Sequence, residues 1–323
     1  MNTEPAGLDR DALIPHIELH NGLAVPDRVI TNVTESRQQG LRRDWLPSLP
    51  TLIQAVCSKW QIELDPSVAD TYMTLVLFGH SSTLGPVVVK SSPASADFVA
   101  QARALQIGSG VNLPRLYDVD FERCVMVMER IVPGTELRAV AMDDETSTRI
   151  AAETLLPLWR PASDVEGLKP QRDVLQPLFE WTPATEVIDG ALVTQAQELA
   201  ASLLRESPGP SLLHGDVHHW NVLRRETGDW ALIDPVGVAG DPAFEVARWM
   251  HNPPEVSVRA DLRDLLIRRL RIWEDVTGLD NTRLASWTFV GNVLNAINCV
   301  EFAPDVMRAC LTVANCMRAF MPS

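Results

Sequence analysis

The chain is short of positive charge: 28 Lys and Arg stand against 42 Asp and Glu, giving a formal net charge of -14 and a pI near 4.9. That balance argues against a nucleic-acid partner, because a phosphate backbone is bound by clustered basic side chains. An anionic membrane is disfavoured for the same reason. No apolar run approaches the ~20 residues of a bilayer span. The start, "MNTEPAGLDRDALIPH", is acidic and holds no signal-peptide core, so a cytoplasmic location is expected. Five cysteines (Cys57, Cys124, Cys299, Cys310, Cys316) are odd in number and form no C-x-x-C pair, which points to buried reduced thiols rather than a disulfide framework or zinc ribbon. There is no internal repeat, low-complexity tract or coiled-coil heptad. The remaining class is a soluble protein of 323 residues with 46% hydrophobic content, long enough for two domains or lobes.

The pattern changes along the chain. "LPSLPTLIQAVCSKW" (46–60) sets Leu52, Ile53, Val56 and Trp60 at helical spacing. "TYMTLVLFG", the turn "HSSTLG" and "PVVVK" predict a hairpin ending at Lys90. "SADFVAQARALQIG" predicts a helix capped by Ser95, and "RLYDVDFERCVMVMERI" two more strands, broken at Pro133-Gly134. A mixed lobe therefore ends near residue 131. Beyond it the chain predicts helices around 142–159, 184–206, 256–277, 281–302 and 304–320. Leu262, Leu265, Leu266, Leu270 and Trp273 form a core-facing stripe in the third of these. "LLHGDVHHWNVL" (212–223) and "WALIDP" stand out as short strand candidates bearing polar residues.

Two chemistries could use "LLHGDVHHWNVL". His214, Asp216, His218 and His219 could ligate zinc in a hydrolase, since imidazole and carboxylate suit that ion. Alternatively Asp216 is a base and Asn221, at D-x-x-x-x-N spacing, a magnesium ligand, as in the catalytic loop of kinases. The zinc reading is thinly supplied, because only His251 follows His219. The kinase reading finds a second metal-binding acid in Asp234, after the apolar "ALI", and an upstream strand lysine in Lys90. Each feature is weak alone, and their order along the chain favours the kinase.

At these residues the chain resembles the aminoglycoside and hydroxyurea phosphotransferases, in particular the streptomycin 6-kinase-like group. The resemblance is carried by "WLPSLPTLIQAVCSKW", "VVVK", "MERIVPGTEL", "HGDVHHWNVL", "IDPVGVAGDPAFEVA" and "SWTFVGNVLNAINCVE", from about residue 45 to near the C-terminus. It implies an α+β, two-lobed protein-kinase-like fold: a mixed N-terminal nucleotide-binding lobe (1–131) and a mainly helical catalytic and substrate-binding lobe (132–323), with ATP in the cleft.

Carried over by position, the resemblance makes Asp216 the catalytic base, Asn221 and Asp234 the magnesium ligands and Lys90 the phosphate-binding lysine. Met128, Glu129 and Ile131 fall in the adenine-binding hinge, and His214 and Asp241 brace the catalytic loop; His218 and His219, short of further metal ligands, are expected to line or support that loop. The acceptor would be a small hydroxylated molecule of the streptomycin or hydroxyurea type, cationic in the first case, with Glu245, Glu274 and Glu301 as candidate contacts. A protein acceptor is disfavoured because no peptide-docking activation segment is found.

Three departures from the family pattern stand out. "VADTYMTLVL" has no glycine where phosphate would be covered, and Val236 stands where the family often has lysine. Gln101 occupies the position of the glutamate that pairs with the phosphate lysine, so Gln101→Glu is expected to tighten magnesium-ATP binding. An inactive pseudokinase and a kinase of another metabolite alcohol are the alternatives within the fold.

Overall fold

The computed structural model describes residues 16–19, 22–36, 44–159, 161, 165–182 and 187–321. Residues 1–15, which carry nearly all of the acidic start, lie outside the described residues, as do residues 184–186 of the helix expected over 184–206. The chain divides into two compact units, residues 1–95 with 117–130, and residues 96–116 with 131–323.

The first unit opens with helices α1 (Asp27–Glu35) and α2 (Trp45–Trp60), followed by β1 (Ile62–Val68), β2 (Leu75–Ser81) and β3 (Gly85–Ser91). Past the helix α3 (Ala96–Gly108) of the other unit come β4 (Leu116–Asp120) and β5 (Val125–Glu129), completing one five-stranded sheet of order β1-β2-β3-β5-β4. Alternate residues Leu75, Leu77, Val87, Val89, Val125 and Val127 share a core with Leu49, Ile53 and Trp45 of α2 and with Val29, Ile30 and Val33 of α1. α1 and β1 were not foreseen: α1 is only nine residues long with three buried positions, and β1 carries Pro66 and alternates poorly. Lys90 sits on β3 opposite Val76 of β2 and Met126 of β5.

The second unit takes up α3, β6 (Pro133–Glu136), α4 (Asp144–Leu155), β7 (Lys169–Pro170), the short α5 (Gln171–Val174) and α6 (Gln176–Phe179), and α7 (Gly190–Arg205). Then follow β8 (Ser211–Leu213), β9 (Val222–Arg225), β10 (Trp230–Leu232), β11 (Val238–Gly240) and the helices α8 (Val246–Met250), α9 (Leu262–Thr277), α10 (Asn281–Cys299) and α11 (Pro304–Met317). Two three-stranded sheets, β10-β9-β6 and β7-β11-β8, carry the polar loops. α10 is buried on nearly every side and forms the centre of the helical part. Gly291 lets α8 approach α10 closely, since a Cβ there would lie 2.4 Å from that of Ala247.

The stripe expected on α9 is buried, and it includes a charge, Arg269, which is wholly inaccessible. Its guanidinium is satisfied by the Asp144 carboxylate (Nε to both oxygens, 3.1 Å) and by the Trp249 and Met250 carbonyls. α4, α8 and α9 are thereby tied through one buried side chain. All five cysteines are free, and burial pushes the Cys57 thiol up to about 11 and that of Cys310 to about 12. No helix among the described residues is long and apolar enough to cross a membrane.

Candidate active site

The polar loop 214–221 runs between the buried strand ends Leu213 and Val222. Gly215 turns the chain with φ 87°, and a Cβ on it would lie 2.9 Å from Val236 Cβ, so the turn needs glycine twice over. His214 is buried, with Nδ1 accepting from the Asp216 amide (3.2 Å) and Nε2 2.8 Å from the Ile233 carbonyl. The proton is therefore on Nε2, and the ring ties the loop to the strand end before Asp234. Burial pushes the His214 pKa down to about 4, so the ring is neutral.

Beneath the loop, Glu245 accepts the backbone N–H groups of His214 (2.7 Å) and Gly215 (2.6 Å) on separate oxygens. Burial pushes its pKa up to about 7, against the pull of those two bonds. Glu245 was expected to face a substrate; at 3% exposure, with both oxygens on backbone amides, it is instead a brace. Asp241, expected as a brace, works one step back. Its carboxylate accepts from Ala243 N (3.0 Å), Trp287 Nε1 (2.6 Å) and Arg283 Nε (2.8 Å), and Arg283 Nη2 donates to it as well. It thus caps the turn Pro242–Glu245 and fastens it to α10, and Glu245 at the end of that turn reaches the loop.

Asp216, half-buried, has Arg248 Nε 2.7 Å from Oδ1 and His218 Nε2 3.4 Å from Oδ2. Burial alone would raise its pKa, but the His218 hydrogen bond and the Arg248 charge outweigh this and hold the carboxyl well below the usual carboxylate range. His219 stacks on Trp249 with centroids 3.9 Å apart, and Trp249 in turn lies under the buried Arg269. Burial, then the charge of Arg269, pushes the His219 pKa down to about 3.

The β9–β10 hairpin joins the remaining groups. Leu232 pairs with Val222, and Ile233 N donates to the Asn221 carbonyl (2.9 Å), so Asn221 and Asp234 emerge at the same end. Asn221 Nδ2 donates to the Asp216 carbonyl (3.0 Å), which leaves Oδ1 as the end of the amide outside that bond. An amide oxygen and a carboxylate are a donor set that fits magnesium, which keeps waters and phosphate oxygens for its other positions. Zinc fits poorly. His214 has both ring nitrogens engaged, and among the described residues no group of three or more His, Cys, Asp or Glu could hold a metal.

Asp234 has φ 61°, and Gln101 Nε2 donates to its Oδ1 (2.8 Å). Of the other expected residues, Met128 and Glu129 end β5 in the first unit with Lys90, while Ile131 is buried in the second. In the glycine-free segment 69–74, Asn32 of α1 donates to the Tyr72 carbonyl (2.8 Å) and Arg28 pairs with Asp70. Glu274 is exposed on α9 and accepts from Asn281, and Glu301 is exposed in the turn after α10. Arg248 was missed altogether, since nothing in "EVARWM" distinguishes it from a solvated helix arginine.

Residues 59–302 match the model of the aminoglycoside/hydroxyurea antibiotic resistance kinases. The chain belongs to this family. It is 27% identical to a streptomycin 6-kinase of Streptomyces glaucescens over 85% of this chain and 91% of that one. It is 26% identical to a hydroxyurea phosphotransferase of Kitasatospora aureofaciens (80% and 75%), and 31% identical to a streptomycin 3''-kinase of Klebsiella pneumoniae (68% and 85%). Among solved structures, choline kinase LicA from Streptococcus pneumoniae matches with a TM-score of 0.59 at 14% identity, over 83% of this chain and 98% of that one. A thermostable aminoglycoside phosphotransferase APH(4)-Ia, in ternary complex with ADP and hygromycin B, matches at 0.55 and 16%, over 84% and 100%. The fold of this family member is thus protein-kinase-like, a mixed sheet unit and a mainly helical one, and the chain is a phosphotransferase.

Proposed function

We propose that this kinase transfers the γ-phosphoryl group of ATP to a hydroxyl of a small molecule of the aminoglycoside or hydroxyurea type, with Asp216 as the base. What carries the reading is the convergence of Asp216, Asn221 and Asp234 on one end of the β9–β10 hairpin, held by the Asn221–Asp216 and Ile233–Asn221 bonds. Relatives named for streptomycin and hydroxyurea, and solved neighbours holding ADP or AMP, support the acceptor class and the nucleotide.

Asn221 Oδ1 and the Asp234 carboxylate would hold magnesium, which when bound neutralises charge on the phosphate oxygens. Lys90 would add a fixed positive charge there, and backbone groups of Met128, Glu129 and Ile131 would take the adenine. Asp216 orients the acceptor hydroxyl. As the acceptor oxygen bonds to the γ-phosphorus and the bond to the ADP oxygen breaks, the hydroxyl proton passes to Asp216. A carboxylate held below its ordinary pKa is too weak to ionise an alcohol beforehand. It suits a loose transition state, in which the proton leaves late. The first-choice acceptor is a hydroxylated cation of the streptomycin type, with Glu274 and Glu301 as its candidate contacts.

ADP release from the purified protein, measured with streptomycin, other aminoglycosides, hydroxyurea and neutral alcohols, tests this. Streptomycin is expected to stimulate it, and Asp216→Asn to lower the rate by about two orders of magnitude or more while ADP still binds. A wild-type rate in Asp216→Asn removes Asp216 as the base. A response to a neutral alcohol alone removes the aminoglycoside, and no turnover with any acceptor favours a pseudokinase.

A further inference from the structure

Gln101 does something in this structure that its place in the family pattern does not suggest. Its Nε2 donates to Asp234 Oδ1 at 2.8 Å and to the Pro235 carbonyl at 2.9 Å. A primary amide nitrogen carries two protons, and both meet acceptors here, so the orientation of the amide is dictated: turned over, its oxygen would face two oxygens. The contact lies within a close docking of α3 on the segment after Asp234. Gly237, at φ 77°, approaches so near that a Cβ there would lie 2.1 Å from the Ala100 carbonyl oxygen. Asp97, one turn before Gln101, pairs with Lys169 of β7, and Ala104 packs with Leu168 and Leu212. The side chain of Gln101 is thereby aimed at the Asp234 carboxylate by the seating of its whole helix.

We infer that Gln101 is a positioning residue for Asp234: its amide fixes the carboxylate orientation, and position 101 must carry a donor rather than a charge. This rests on the reading of Asp234 as a magnesium ligand. It reverses the expectation drawn from the sequence, because Gln101→Glu would set a second carboxylate against Asp234 Oδ1 and the Pro235 carbonyl. Two carboxylates at hydrogen-bond distance offer each other only acceptors and repel, so Asp234 is driven out of the orientation that the Gln101 amide holds. The ligand is spoiled by that displacement.

Calorimetric titration with ADP, in excess magnesium and again in EDTA, reads the effect without any acceptor or turnover. The ratio of the two dissociation constants isolates the metal-dependent part of binding, which a merely structural role for Gln101 would not move selectively. Gln101→Glu is expected to shrink that ratio by about tenfold or more, with metal-free ADP binding changed less than about twofold. Gln101→Met removes both bonds without adding charge, and is expected to shrink it by about three- to fivefold; it serves as the test if the glutamate variant does not fold. An unchanged ratio in a folded variant, or tighter magnesium-ADP binding in Gln101→Glu, overturns the inference while the magnesium site stands. A wild-type protein whose ADP affinity ignores magnesium overturns the Asp234 assignment and this inference with it.

Discussion

Asp241→Asn is the sharpest test of how the helical part holds the loop. The carboxylate is 1% exposed and accepts from the Ala243 amide, the Trp287 indole and two nitrogens of Arg283. Asparagine can keep the oxygen on Ala243 N, but its NH2 then faces the indole N–H and the guanidinium, donors against donors. Arg283, only 19% exposed in its side chain, is left as a cation without its counter-ion. Removing one partner of a buried pair costs about 3–5 kcal/mol. Against a stability of roughly 5–15 kcal/mol, that is a large fraction. Urea denaturation followed by tryptophan fluorescence should place the variant's midpoint far below wild type. Arg283→Met added to Asp241→Asn should recover most of the loss, because the orphaned cation goes with it. In the folded fraction, the turn Pro242–Glu245 is loosened, so phosphoryl transfer should fall further than ADP affinity. A loss below about 1 kcal/mol, or no recovery in the double variant, would refute the claim that this carboxylate fastens the turn to α10.

Two further changes follow from the same geometry. Arg248 helps hold the Asp216 carboxyl below its ordinary range, so Arg248→Met should raise that pKa and, on the proposed role of Asp216 as base, move the acid limb of the pH–rate profile to higher pH; an unmoved limb would separate Arg248 from that proposed role. Glu245 has a folded pKa pushed up to about 7 from an ordinary value of 4.5, so the folded state binds its proton more tightly than the unfolded chain does. Wild-type stability should therefore decline as pH rises through that window, and the advantage of wild type over Glu245→Gln should narrow across it. Parallel pH–stability curves would show that the carboxyl does not titrate there.

Some of this was legible in the sequence because local geometry constrains it. The D-x-x-x-x-N interval closes a loop onto a hairpin, and the apolar "ALI" before Asp234 pairs with "NVL", so local pairing alone brings Asn221 and Asp234 to the same end of the hairpin. The β2–β3 hairpin that carries Lys90 and the α9 stripe are likewise set by alternation and by helical period. α3 was legible as a helix and its seating was not, because apolar periodicity reports which face is buried but says nothing of what covers it.

The functional errors share that cause. Gln101 and Asp234 are 133 residues apart, and Asp216 and Arg248 meet across a helix whose sequence marks no charge as special. Position in the family pattern suggested a lysine for Gln101, where the structure supplies a carboxylate; acidity suggested a cation for Glu245, where the structure supplies two amides. A polar side chain's role follows from its partner, and partners brought together by tertiary packing leave no periodic trace. The consequence is specific: Gln101→Glu looks conservative and activating in sequence, yet in the structure it sets an acceptor before an acceptor at the one carboxylate the magnesium reading needs.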